Sequence, residues 1–175
     1  MPNWCDNSVT FKHADSAAID RICAVDTYDE GLQGLFETFF PCPQELCIDA
    51  QIGTTDESLL AVYAANEAKH GAAHWYDWCR LNWGTKWDAS NVHINRIDAT
   101  TVNVSFTSAW SPPVEWYEKM ATLGYAIDAK CIEGGVAFYG TWTNDDGYQE
   151  GQFSKLADIP QDIIATFPWI EDNFA

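Results

Sequence analysis

Between Thr101 and Trp110 the chain alternates. Val102, Val104 and Phe106 are apolar, and Asn103, Ser105 and Thr107 between them are polar. Successive side chains of a strand point to opposite faces, so this stretch buries one face and wets the other. Such a strand needs antiparallel neighbours and a layer over its apolar side. Val92-His93-Ile94-Asn95-Arg96-Ile97 precedes it across the short turn Asp98-Ala99-Thr100, which predicts a hairpin. Pro112-Pro113 sits where a helix begins. Val114, Tyr117, Met120, Ala121 and Leu123 give residues 113–123 an apolar face, and Gly124 ends them.

The flanking segments supply the other layers. Val9 and Phe11 predict a first strand within 3–12. Asp15 or Ser16 caps a helix over 17–25 with Ile19, Ile22 and Cys23 or Val25 on one face. Residues 26–31 read as a loop. Leu32, Leu35, Phe36 and Phe39 then space a short helix, which Pro41-Cys42-Pro43 stops, and Gln44-Glu45-Leu46 opens an irregular link. A further helix starts near Thr55 or Asp56 with Leu59, Leu60, Val62 and Tyr63, runs toward Lys69 and breaks at Gly71. Another covers 73–82, with Trp75, Trp78, Cys79 and Leu81 partly on one face, and ends at Gly84. Three strands follow, over 125–132, 136–144 and 148–153, joined by turns at Glu133-Gly134-Gly135 and Asp145-Asp146-Gly147. A short amphipathic helix near 160–167 closes the chain. This order is a split βαβ pattern. It predicts one α+β domain over 1–175, a ferredoxin-like antiparallel sheet with helices on one face, inserted helices and a C-terminal hairpin.

Charge narrows the partners. The chain has 26 acids against 9 bases, a net charge of −17. Residues 1–66 carry 11 acids and 2 bases, 67–100 carry 4 of each, and 101–175 carry 11 and 3. Like charges repel, so neither nucleic acid nor an anionic membrane is an expected direct partner, whereas a basic protein surface is. The acids gather at Asp26, Asp29 and Glu30, at Asp56 and Glu57, and at Asp145, Asp146 and Glu150. Carboxylates spaced along a rigid surface imitate a phosphate ladder; the alternative is a plain solvated face. No apolar run approaches a membrane span, and the N-terminus lacks the basic and apolar regions of a signal peptide, so the expected location is the cytosol. Six cysteines without CxxC spacing read as reduced, small core residues.

The electrically balanced segment is also the richest in tryptophan. Trp75, Trp78, Trp83 and Trp87 fall within thirteen residues, and Asn82-Trp83-Gly84-Thr85-Lys86-Trp87-Asp88-Ala89 has a counterpart in Ser108-Ala109-Trp110-Ser111-Pro112-Pro113. With Trp142, these tryptophans either build the core between helices and sheet or line a pocket or partner surface. Lys86 either pairs with Asp88 to pin the loop or lies over the Trp87 indole. Trp83, Lys86, Trp87, Asp88 and Trp110 are therefore the candidate corner. His70, His74 and Asp77 have helical spacing for a metal, but Gly71 interrupts it and no HExxH is present. With no GxSxG, P-loop, dinucleotide fingerprint or CxxC pair, no catalytic residue, metal or cofactor is expected.

Four ordered blocks carry a resemblance. Pro2-Asn3-Trp4-Cys5-Asp6-Asn7, the Asn82–Ala89 block, Thr107-Ser108-Ala109-Trp110-Ser111-Pro112-Pro113 and Glu133-Gly134-Gly135-Val136-Ala137-Phe138-Tyr139-Gly140 resemble the YubB ferredoxin-like, or Api-type, proteins of phages, plasmids and the bacteria that carry them. Gly134-Gly135 departs from the Pro-Gly pair expected there. The family is a domain of unknown function. The resemblance implies a ferredoxin-like fold and a mobile-element origin, and it hands over no catalytic residue. Charge and resemblance together predict a non-enzymatic accessory protein that binds and inhibits a host protein. Its sharpest form is an acidic DNA mimic acting on a nucleic-acid-binding defence complex, a CRISPR effector or a restriction enzyme. The alternatives are a small-ligand binder or enzyme using the Trp-rich corner, and an oligomeric assembly protein.

Overall fold

The alternation that predicts a half-buried strand is realised in β3 (Thr101–Ala109), where Val102, Val104, Phe106 and Ser108 are buried. The computed structural model describes residues 3–25 and 34–174. Within them, β1 (Trp4–Lys12) is followed by helices α1 (Ser16–Cys23), α2 (Leu35–Phe39), α3 (Glu57–His70) and α4 (Trp75–Trp83). Then come β2 (Ser90–Arg96), β3, α5 (Val114–Thr122), β4 (Ala126–Glu133), β5 (Phe138–Thr143), β6 (Gly147–Gln152) and α6 (Gln161–Thr166). The fold is α+β. Its single sheet has the order β2-β3-β1-β4-β5-β6, with every neighbouring pair antiparallel. The first four strands have the split βαβ order of a ferredoxin-like sheet, and the β5–β6 hairpin extends it. Among the described residues no helix is long and apolar enough to cross a membrane.

Register decides which side chains meet. Val9 lies opposite Val104 on one side and Ala129 on the other, so β1, β3 and β4 present one apolar face. Ile19 and Ile22 of α1, Leu35 and Phe36 of α2, Trp78 and Trp83 of α4, and Trp116 and Met120 of α5 cover it. Each fully buried aliphatic or aromatic side chain there contributes about 1.5–3 kcal/mol. Over β2, β3 and β1 the opposite face is polar: Asn103 reaches the Ser8 and Thr10 hydroxyls and the Val9 carbonyl at 3.3–3.4 Å. At the β4–β5 end, the C-terminal segment crosses to that second face. Ile132 packs there with Phe153, Ile159, Ile163, Ile164, Phe167 and Ile170 as a separate apolar cluster.

Local signals place the helix ends. Asp15 caps α1 by accepting the Ala17 N–H at 3.0 Å. Asp56 caps α3 by accepting from Ser58 at 2.9 Å and Leu59 at 3.4 Å. Gly71 and Gly84 end α3 and α4 in the left-handed region, with φ of 75° and 83°.

Several expectations need correction. α3 leads with apolar residues, yet Leu60 and Val62 are exposed, and only Tyr63 and Asn66 of this helix are buried. Its packing runs through the Tyr63 hydroxyl, which donates to the Asp49 carbonyl and accepts the Gln51 N–H. Leu81 and Leu123 are exposed as well, while Trp116, on the inner face of α5, is fully buried. All six cysteines are free, but Cys47 is exposed rather than part of the core. Leu32 and the expected loop at 26–31 lie outside the described residues.

Candidate functional site

The tryptophans fall into a buried and an exposed set, with Trp75 half-buried against the core. Trp78, Trp83 and Trp142 are buried, as the core reading requires. Trp83 is also tied by its indole N–H, which donates to the Phe40 carbonyl at 2.9 Å. Trp87 and Trp110 are exposed and join Trp4, which the cluster read from sequence omits. Trp4 and Trp87 stand 6.1 Å apart, tilted 34°. The Lys86 ammonium lies 3.7 Å from the Trp87 ring centroid and 6.0 Å from that of Trp110. Of the two readings of Lys86, the cation over an indole face is the one observed, and Asp88 is engaged elsewhere.

Asp88 is a half-buried anchor. Its carboxylate accepts the N–H groups of Phe36 and Glu37, both at 2.8 Å, and of Ala89 at 2.7 Å. Phe36 and Glu37 open α2, so the acid meets the positive end of that helix. Burial still pushes the Asp88 carboxyl above its ordinary value of 3.8, against the lowering effect of these bonds. A side chain at Gly34 would overlap the carboxylate, which explains the glycine there.

Trp110 holds a backbone conformation unusual for a bulky residue, with φ of 75°. The surrounding network over-determines it. Its N–H donates to the Asn3 carbonyl at 3.0 Å, and the buried Thr85 hydroxyl donates to the Ala109 carbonyl at 3.0 Å. The Ser108 hydroxyl donates to the Ser111 carbonyl at 2.7 Å and accepts from the Asn7 amide at 2.9 Å. The Tyr117 hydroxyl donates to the Asn7 amide oxygen at 3.2 Å. This chain of bonds turns the indole outward, beside a cavity of about 450 Å³ lined by Tyr76, Arg80, Thr85, Lys86, Trp110 and Ser111.

The acidic candidates lie elsewhere. Strand register brings the turns after β1, between β2 and β3, before β4 and between β5 and β6 to one end of the sheet. Asp15, Asp98, Asp128, Asp145 and Asp146 belong to this end, and all five are exposed. Asp145 and Asp146 are thus joined by three acids that the clusters read from sequence omit; turn position and strand register are the signal that finds them. An open cavity of about 710 Å³ borders the same end, lined in part by Lys12, Asp128, Asn144 and Asp145. Asp98 accepts from the Thr100 N–H at 2.7 Å and hydroxyl at 2.9 Å, and these bonds hold its carboxyl below the usual range. Asp146 accepts from the Thr143 hydroxyl at 3.0 Å.

The other predicted acids are dispersed. Asp56 is the α3 cap, lowered by its bonds to Ser58 and Leu59, with Glu57 exposed beside it. Glu150 lies within β6, accepting the Tyr148 hydroxyl at 3.0 Å. Asp26, Asp29 and Glu30 lie outside the described residues. The histidines have separate partners: His70 faces Glu45 at 3.3 Å and His74 faces Asp77 at 3.4 Å.

No family model matches the chain, and no curated protein does. Among solved structures, the chain is similar to the crystal structure of a protein api92 from Yersinia pseudotuberculosis, whose family model is DUF1281. The identity is 11%, the match covers 88% of this chain and 99% of that one, and the TM-score is 0.45.

Proposed function

We propose that the chain is a non-enzymatic binding protein of the YubB or Api type, encoded by a mobile element, that docks its acidic sheet end on a basic surface of a host protein and inhibits it. The observation that carries the reading is the row Asp98, Asp15, Asp128, Asp145 and Asp146, which follows the strand order across the sheet. With strands about 4.8 Å apart, the row spans about 20 Å. That length matches the rise of about six phosphates along one nucleic-acid strand. Of all carboxylates in the described residues, only Asp20, Glu45, Asp158 and Asp162 are paired with lysine or arginine, so the surface field is largely uncompensated. A nucleic-acid-binding defence complex, with its basic channel, has the complementary field.

A tagged pull-down from host lysate at low salt, eluted by a salt step, identifies the target. Competition against nucleic acid for that target then tests mimicry. Wild type should displace the nucleic acid, with an affinity that falls steeply as salt rises. Asp98→Lys, Asp128→Lys, Asp145→Lys and Asp146→Lys combined should abolish displacement while the chain stays folded. Undiminished competition by this variant rules the reading out.

A further inference from the structure

The geometry points to a second site, independent of the acidic end: the cavity beside Trp110 binds a small anion carrying a planar ring. Three observations converge on it. First, the cavity is lined by two cations, Lys86 and Arg80, in a chain of net charge −17. Among the described residues neither has a carboxylate within ion-pair distance. Second, both cations lie against aromatic faces, Lys86 at 3.7 Å from the Trp87 centroid and Arg80 at 5.7 Å from that of Tyr76. Their stems are thereby directed while their charge stays available. Third, Trp110 is 52% exposed and held at positive φ by a buried hydrogen-bond network. Strain kept by its surroundings at an exposed indole is a mark of a functional position.

Two of the three nearby carboxylates are engaged within the fold. Asp88 accepts three backbone N–H groups, and Asp77 faces His74. Glu115 lies against Gly84 at the rim, where a β-carbon on that glycine would overlap its carboxylate. An anion entering beside Lys86 and Arg80 therefore meets two cations against the single carboxylate of Glu115 at the rim. A ring attached to it reaches the Trp110 face, and stacking on indole is tolerant of ring chemistry. About 450 Å³ is within the ordinary range for a small-molecule pocket. A phosphate or a carboxylate supplies the same anionic recognition. A nucleoside monophosphate and an aryl carboxylate are thus two sources of one ligand chemistry.

Titration by ligand-observed NMR and calorimetry, with the full chain, separates them. The probes are adenosine monophosphate and indole-3-acetate, with adenosine and indole as uncharged controls. At least one anion should bind at least about tenfold tighter than its uncharged control, as one charge-assisted contact predicts. Tighter binding of the monophosphate assigns a phosphate ligand, and tighter binding of indole-3-acetate assigns a carboxylate. Lys86→Gln and Arg80→Gln should each weaken the anion about tenfold with unchanged thermal unfolding. Trp110→Asn keeps a residue that tolerates the left-handed backbone and should weaken both anions by a similar factor. Equal binding of charged and uncharged probes overturns the inference. So does wild-type affinity in both Lys86→Gln and Arg80→Gln.

Discussion

Asp88 shows how one residue in the Trp-rich corner serves the fold. Removing its carboxylate leaves the Phe36, Glu37 and Ala89 N–H groups without their acceptor in a half-buried place. Asp88→Ala should cost about 2–3 kcal/mol and lower Tm by several degrees, measured by thermal and denaturant unfolding. Its titration has a definite sign. Burial raises the folded pKa above 3.8, so the folded chain holds this proton more tightly than the unfolded chain. Its contribution to stability is fully present below the unfolded value and declines as pH rises through the raised folded value. A denaturant series upward from pH 3.8 should show this decline in wild type and not in Asp88→Asn. None of this was legible in the sequence, where Lys86 is the nearest opposite charge. The acceptor role depends on α2, about fifty residues earlier in the chain. The same holds for tryptophan exposure: Trp83 and Trp110 both flank tight turns, and only the Asn7–Ser108–Tyr117 network distinguishes the outward one.

At the scale of elements, periodicity was a good guide wherever a segment has one apolar and one polar face. The strand alternations of β1 and β3, and the inner faces of α1 and α2 within the described residues, were legible for that reason. Where burial depends on what lies opposite, it failed. Leu60 and Val62 of α3 look inward by composition, but the helix meets its neighbours through Tyr63 and Asn66. The α6 pattern was also readable, whereas its crossing to the far face of the sheet required the position of Ile132 in β4. Ile163 is fully buried in the cluster that α6 forms with Ile132, Phe167 and Ile170. Ile163→Ala should therefore cost about 2–5 kcal/mol. Hydrogen exchange should show the loss of protection concentrated in α6, β4 and β5, with β2 and β3 less affected.

Across the whole molecule, charge is the dominant unbalanced term. Net −17 on 175 residues repels itself, and the four Lys/Arg–carboxylate pairs among the described residues offset little of that repulsion. Thermal stability should rise from low to moderate sodium chloride as screening shortens the range of the repulsion, a trend calorimetry reads directly. The opposite trend would mean that the carboxylates are compensated within the fold. The acid row itself was only half legible, because proximity across the sheet end follows from strand pairing and not from spacing along the chain. That pairing has one more result. β1 and β3 run from the exposed Trp4 and Trp110 at one end to Lys12 and Thr101, beside the acid row, at the other. The proposed acidic surface and the cavity beside Trp110 therefore stand at opposite ends of the same two strands. If both proposals hold, a target seated on the acid row would leave the tryptophan end uncovered, and a ligand there would enter and leave while the protein stays bound.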